Sequence, residues 1–299
     1  MEKIITILEK SFLEISDLIQ NNNTLNLGSY TDQSNNSGDD VKKVDVMSNI
    51  ILKKNLEKHP EVRCIGSEEE QELYYTKNNN GQYLISYDPL DGSSNVDVNI
   101  TTGTIFAVYK YDDNGTITNG HNIVMSGYCL YGGSLQYVLA KENSVYMYQY
   151  IPSEKKFLLI TDNMKIKEKG NIYAVNEANK RTWCDKRYNK LINTFIDEKY
   201  TARWVGSLVA DAHRTLIKGG FFAYPGNDAN KNGKIRLLYE AYPFAHIFKT
   251  AGGFSSNGDI CILDLPYPSN LHQKIPIILS SKYEITHFDE YKKSDLSHY

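Results

Sequence analysis

The chain has 299 residues, 41% of them apolar and 23% charged, with a formal net charge of −3. That length suits one large domain or two coupled ones, and the charge excludes a broad basic footprint for nucleic acid or anionic membrane. No apolar run is long enough to span a bilayer, and Glu2, Lys3, Glu9 and Lys10 interrupt any signal-peptide core. Cys64, Cys129, Cys184 and Cys261 form no CxxC pair and the seven histidines no HxxxH spacing, which argues against a zinc site. A soluble, cytoplasmic protein with reduced, buried thiols is expected.

In chain order, Ile4, Leu8, Phe12, Ile15 and Ile19 fall on one face and predict an opening amphipathic helix. Asn21 to Gly38 is rich in Asn, Ser and Gly and reads as a mobile loop. Val41, Val44, Met47, Ile51 and Leu56 predict a second helix that ends at Lys58-His59-Pro60. Tyr83 to Tyr87 reads as a short strand, and Thr104 to Tyr150 as a β region broken at Asp113-Asn114-Gly115 and Gly132-Gly133. The charged connector Lys165–Gly170 marks a candidate boundary, dividing the chain into 1–165 and 166–299. Beyond it, strands near Ile172–Val175, Phe221–Tyr224 and Ile235–Leu238 alternate with helices near Leu208–Ile217 and Phe244–Thr250. That alternation predicts an α/β, layered architecture.

Four short segments carry charge in informative places. In Asp88-Pro89-Leu90-Asp91-Gly92-Ser93-Ser94-Asn95, two carboxylates leave a strand end. Gly92 then permits close backbone approach, and the Ser93 and Ser94 amides can face an anion. Oxygen ligands beside anion-binding amides suit a metal–phosphate site; a tight Asp-Gly turn with serine caps is the plain alternative. Gly66-Ser67-Glu68-Glu69-Glu70 matches a capping box, and alone it reads as a helix start. Glu68 and Glu69 gain weight from the Asp-rich turn that follows. In Gly38-Asp39-Asp40-Val41-Lys42-Lys43-Val44-Asp45, Asp45 lies within the second helix, and by itself reads as part of a solvated face. Lys234 and Arg236 alternate with apolar residues, so a strand puts them on one face, and Glu240 sits where strand gives way to helix. A second anionic group and a metal fit that pattern, as does an edge strand with protective charges.

Together these segments resemble the class I fructose-1,6-bisphosphatase family over nearly the whole chain. The matching stretches are GDxVKKxDVxSN at 38–49, EE at 68–69, DPLDGSSN at 88–95, GTIF at 103–106, NE at 176–177, VGSLVADAHRTL at 205–216, YP at 224–225, GKIRLLYEA at 233–241 and a later AGG. DPxDG alone marks the wider lithium-sensitive phosphatases; DPLDGSSN with GKxRLLYE is more specific. The resemblance implies an α/β fold, the layered α-β-α-β-α sugar-phosphatase arrangement with two coupled halves. The N-terminal half would bind metal and the reacting phosphate, and the C-terminal half the sugar phosphate.

It also implies hydrolysis of the 1-phosphate of fructose 1,6-bisphosphate in gluconeogenesis. Two or three Mg²⁺ ions, replaceable by Mn²⁺, would be held by Glu68, Asp88, Asp91, Glu240 and the Leu90 carbonyl, with Asp39 beside them. Asp45 and Glu69 would orient and deprotonate the attacking water, and Asp91 is counted with them as catalytic. Asp91, Gly92, Ser93 and Ser94 would grip the reacting phosphate. Asn176, Tyr224, Lys234 and Arg236 would hold the sugar and its other phosphate, with Arg203 supplied by a neighbouring subunit of a homotetramer.

Three departures bear on substrate. Trp204 replaces a tyrosine that would contact the non-reacting phosphate, Asn179 a phosphate-binding tyrosine of some members, and Tyr242 an asparagine just after Glu240. Sedoheptulose-1,7-bisphosphatase is therefore the alternative substrate class, ahead of an inositol-type monophosphatase or an inactive regulatory homologue. Gln82-Tyr83 at the family's Lys-Tyr pair, and a start inside the first helix, predict weak or absent AMP inhibition.

Overall fold

A computed structural model describes residues 1–22, 30–34 and 40–296. Helix α1 (Glu2–Gln20) buries Ile4, Leu8, Phe12, Ile15 and Leu18, as its spacing requires, with Ile19 half-buried beside them. Strand β1 (Tyr30–Ser34) pairs antiparallel with β2 (Asp40–Lys42). The predicted loop therefore contains a strand, while its residues 23–29 and 35–38 lie outside the described residues.

Helix α2 (Lys43–Leu56) forms as predicted but turns a different face inward. It buries Val44, Asp45, Ser48, Asn49, Leu52 and Leu56, and Met47 is 41% exposed. Hydrophobic periodicity misplaces this face because its inner side is half polar.

An eight-stranded sheet follows in the order β10-β9-β8-β7-β6-β5-β3-β4. Its strands are β3 (Val62–Ser67), β4 (Tyr74–Tyr75), β5 (Tyr83–Asp91), β6 (Thr102–Lys110), β7 (Ile123–Tyr131), β8 (Leu135–Lys141), β9 (Ser144–Ile151) and β10 (Lys156–Thr161). All neighbours are antiparallel except β3 and β5. The second sheet has the order β12-β11-β13-β17-β15, from β11 (Ile172–Val175), β12 (Thr201–Ala202), β13 (Phe221–Tyr224), β15 (Phe254–Ser256) and β17 (Ile277–Ser280). Helix α3 (Arg187–Asp197), helix α4 (Leu208–Lys218), helix α5 (Tyr242–Thr250) and helix α6 (Lys282–Leu296) complete the layers, with the short pair β14 (Ile235–Arg236) and β16 (Lys274–Ile275).

Strand alternation sorts the core into three interfaces. Phe106 and Val108 of β6 face α1 and α2; Ile105, Ala107 and Tyr109 face α4 and α5. Phe222 of β13 joins that middle core, whereas Phe221 and Ala223 face α3 and α6. The result is α-β-α-β-α, the expected layering. Helices α3 and α6 were not anticipated: Tyr188, Leu191, Ile192 and Phe195 form the buried stripe of the first, embedded in a charged segment. Of the four thiols, all free, Cys64 and Cys129 are buried as expected but Cys184 is exposed and Cys261 half-buried.

Candidate active site

The carboxylates come together because two parallel strands end side by side. Ser67 of β3 is in register with Tyr87 of β5, so Glu68 and Glu69 follow one strand end while Asp88 and Asp91 occupy the other. No helix starts at Ser67. Its hydroxyl accepts from the Glu69 amide at 3.2 Å in a turn, and Glu70 reaches α2, accepting from Asn49 Nδ2 at 2.8 Å and Lys53 Nζ at 2.9 Å. The capping-box pattern is thus a tight turn tied to a neighbouring helix.

Pro89 lacks an amide, and the β5–β6 register shifts between Asp88 and Asp91. Within that irregularity the Leu90 amide donates to Asp88 Oδ1 at 2.9 Å, and the Pro89 carbonyl accepts from Thr104 Oγ1 at 2.8 Å. Leu90 itself is buried between the two aspartates. Glu240 arrives from a π-helical turn, Leu237–Ala241, whose first two residues had been expected to continue the strand. Ser86 and Tyr109 both donate to the Leu238 carbonyl, which pins that turn to the large sheet. Asp88, Asp91 and Glu240 are all buried and offer carboxylate oxygens within 4.8 Å of one another.

Burial and mutual repulsion raise these carboxyls. Asp88 is pushed far above its ordinary value by burial, then by Glu68, Asp91 and Glu240. Burial takes Glu240 to about 8 despite Arg236, and Asp91 only to about 6. Asp91 is held lower because its Oδ2 accepts from Ser207 Oγ at 2.7 Å and the Val209 amide at 2.8 Å. Arg236 answers this negative charge: its Nη2 lies 2.8 Å from Glu68 Oε1 and its Nη1 4.0 Å from Glu240 Oε2. One guanidinium cannot balance the carboxyls of Glu68, Asp88, Asp91 and Glu240, and a bound cation would hold these hard oxygen donors in their charged forms. That donor set fits a divalent oxygen-liganded cation and would suit a soft metal poorly.

Asp45 sits in the first turn of α2, buried rather than solvated, with the Lys42 amide donating to its Oδ2 at 3.0 Å. Burial raises it to about 7, against the Lys42 amide and Ser93. Glu69 rises to about 8 through burial, then Glu68 and Asp45. Both carboxyls therefore exchange protons near neutrality. After Asp91, Gly92 takes a φ of 75°, and a Cβ there would lie 2.7 Å from Ser207 Cβ, so both backbone and space require glycine. Ser93 and Ser94 then open a 3₁₀ turn over Ser93–Val98.

The remaining candidates gather at one end of the second sheet. Val175 is in register with Ala223 on parallel strands, so Asn176 and Tyr224 emerge together. Ala202 of β12 pairs with Tyr173 in the same sense, which brings Arg203 and Trp204 to that end. The Trp204 ring, 40% exposed, lies 6.3 Å from Phe222 and 6.2 Å from Tyr224, centroid to centroid. Lys234 is exposed, whereas Arg236 is half-buried and turns toward the acidic cluster. Asp39 lies outside the described residues. Ser207 was not singled out in the sequence. A serine before an apolar helix signals a cap, yet here its side chain leaves the helix end to Asp91 and donates to that carboxylate.

The profile described as the N-terminal domain of fructose-1-6-bisphosphatase matches residues 1–162, and that of the C-terminal domain residues 166–293. The chain belongs to the fructose-1-6-bisphosphatase family. It is 43% identical over 261 residues to the class 1 fructose-1,6-bisphosphatase of Persephonella marina, covering 86% of this chain and 81% of the relative. It is 36% identical over 311 residues to fructose-1,6-bisphosphatase 1 of Bos taurus, covering 98% of this chain and 90% of the relative. The crystal structure of Leishmania major fructose-1,6-bisphosphatase in holo form superposes with a TM-score of 0.93 at 33% identity, covering 97% of this chain and 94% of that one. In this chain Tyr242 has a structural reason. It is buried, and its hydroxyl donates to the Leu265 and Pro266 carbonyls at 2.7 and 3.0 Å.

Proposed function

We propose that this chain is a Mg²⁺-dependent phosphatase that hydrolyses the 1-phosphate of fructose 1,6-bisphosphate to fructose 6-phosphate and phosphate. The observation that carries this reading is the buried Asp88–Asp91–Glu240 cluster, within 4.8 Å, beside Asp45 and Glu69, whose carboxyls titrate near neutrality.

Glu68, Asp88, the Leu90 carbonyl, Asp91 and Glu240 would hold two or three Mg²⁺ ions, for which Mn²⁺ can substitute, with Asp39 alongside. Such ions supply charge neutralisation to phosphoryl oxygens and acidify water. The protein's own part is positioning and proton handling, the main demands of phosphoryl transfer. Gly92, Ser93 and Ser94 orient the reacting phosphate. Asp45 and Glu69 orient the attacking water and take its proton as its oxygen bonds to phosphorus and the phosphorus–oxygen bond to the sugar breaks, and the leaving sugar oxygen regains a proton from solvent. Asn176, Tyr224, Trp204, Lys234 and Arg236 hold the sugar and the second phosphate, with Arg203 reaching a neighbouring subunit of a homotetramer. Residues up to about 165 carry the metal-binding half and the remainder the sugar-binding half. The reading includes a cytoplasmic role in gluconeogenesis.

The exposed Trp204 ring beside Tyr224 favours one alternative, a longer sugar such as sedoheptulose 1,7-bisphosphate. Phosphate release from the two bisphosphates, assayed side by side with Mg²⁺, tests this. A higher kcat/KM for the fructose compound supports the main reading; preference for the sedoheptulose compound overturns the substrate assignment.

A further inference from the structure

Away from the acidic cluster, a cavity of about 470 Å³ opens between α4 and the hairpin joining β7 to β8. Its volume is that of a small organic ligand. Ile100, Leu130 and Ile217 supply an apolar wall, and Arg214 and Lys218 of α4 supply two cations. His213, also on the wall, contributes no charge: it shares a 2.8 Å hydrogen bond with the Tyr128 hydroxyl, and burial lowers its pKa to about 4. Asp211 is the carboxylate paired with Arg214, at 3.0 Å, which leaves Lys218 as surplus positive charge.

Arg214 is also wired to the segment that precedes α4. The same Nη1 donates to the Arg203 carbonyl at 3.2 Å. Asp211 in turn accepts from the Val205 and Gly206 amides at 3.0 Å. The next residue, Ser207, donates to Asp91. An anion drawing on the Arg214 guanidinium would therefore loosen or retune the hydrogen bonds that place Arg203, Trp204 and Ser207.

We propose that this cavity is an effector site for a small organic anion, a carboxylate or phosphate group on a compact apolar body, and that its occupancy reaches the active site through Arg214, Asp211 and the segment Arg203–Ser207. Only the transmission to activity rests on the function proposed above; binding and its effect on Trp204 do not.

The test uses the full chain with Mg²⁺ and two probes, benzoate for the carboxylate head and phenylphosphonate for the phosphate-like head. Binding is measured by titration calorimetry, and transmission by Trp204 emission and by KM for fructose 1,6-bisphosphate. The chain has two tryptophans, and Trp183 is buried in the core under α3 and α6, so emission is read in a Trp183→Phe background, where it reports Trp204. Lys218→Gln should weaken binding roughly tenfold, as expected for losing a charge-assisted hydrogen bond. Gly133 lines the cavity and a Cβ there meets nothing within 4 Å, so Gly133→Phe should be accepted by the fold and should abolish binding by crowding the cavity. Both variants should keep the basal kcat/KM. With the cavity unaltered a bound probe should shift Trp204 emission and change KM about fivefold, the scale of ordinary coupling between sites, and both responses should vanish in Gly133→Phe. No binding of either probe, binding unchanged by Gly133→Phe, or binding that moves neither the emission nor KM would overturn the proposal. If the chain lacks bisphosphatase activity altogether, the proposed function fails while binding and emission still decide this one.

Discussion

Ser207 donates its hydroxyl to Asp91 at 2.7 Å across 116 residues of chain, and the Val209 amide reaches the same carboxylate oxygen at 2.8 Å. Asp91 thereby caps the start of α4 while standing in the acidic cluster. The bond ties the end of the large sheet to the helix layer between the sheets, so fold and site share a joint. An acid at a helix N-terminus is favoured in its charged form, which accounts for Asp91 rising least among the numbered carboxyls of the cluster.

Ser207→Ala removes one donor from a buried carboxylate. The expected cost is about 1–3 kcal/mol of stability, with Asp91 rising further above about 6. The acid limb of the kcat/KM–pH profile should move upward and kcat should fall about tenfold. Paired melting and pH–rate measurements check this; an unchanged acid limb would contradict it.

Metal removal should leave a distinctive pH dependence. Asp91, Asp45, Glu69 and Glu240 have folded-state values of about 6, 7, 8 and 8, all above their unfolded values. Folding then favours their protonated forms. Their stabilising contribution is complete below about pH 4 and is lost as pH rises through about 6 to 8. In chelator, Tm should fall between about pH 5 and pH 8, and added Mg²⁺ should restore more at the upper end. A Tm that rises with pH in chelator would count against this arrangement.

Asp45→Asn and Glu69→Gln probe the proton-handling pair. Asparagine still accepts from the Lys42 amide, so the turn at the start of α2 should survive. Each variant should lower kcat by about 10²–10⁴-fold with a smaller effect on KM, the range for losing a general base. Comparable loss in KM alone would assign these residues to binding instead.

Tyr242 makes a sharp distinction between packing and specificity. Tyr242→Phe should cost about 1 kcal/mol by leaving the Leu265 and Pro266 carbonyls short of a donor. Tyr242→Asn should cost about 3–5 kcal/mol by opening a cavity in the middle core. Denaturant melts measure both. Neither should change the ratio of kcat/KM between fructose and sedoheptulose bisphosphates; a changed ratio would return Tyr242 to the substrate site.

Patterning located α1, α4, α5, β5, the β6–β9 region, β11 and β13 because each buries an apolar face, whereas the α-β-α-β-α order came with the family resemblance. It misassigned Met47 because the inner face of α2 includes the polar Asp45, Ser48 and Asn49 beside Val44, Leu52 and Leu56, which an apolar pattern does not register. The residues of Asp88–Ser94 were legible from the motif, and so were Glu68, Glu69 and Glu240. The turn after Ser67 and the π-helical turn carrying Glu240 were not, since the first depends on contacts with α2 and the second on contacts with the large sheet. Ser207 escaped for a related reason: a local cap signal hid a long-range bond. Arg236 was read as a partner of Lys234, and only the three-dimensional arrangement shows it facing Glu68.

The most direct test of the account is phosphate release from fructose 1,6-bisphosphate by the unaltered chain and by Asp88→Asn and Glu240→Gln, each with Mg²⁺ and with chelator. The account predicts release from the unaltered chain that requires Mg²⁺, and losses of about 10³-fold or more in both variants with the fold retained. Release that persists in chelator, or variants as active as the unaltered chain, would contradict it.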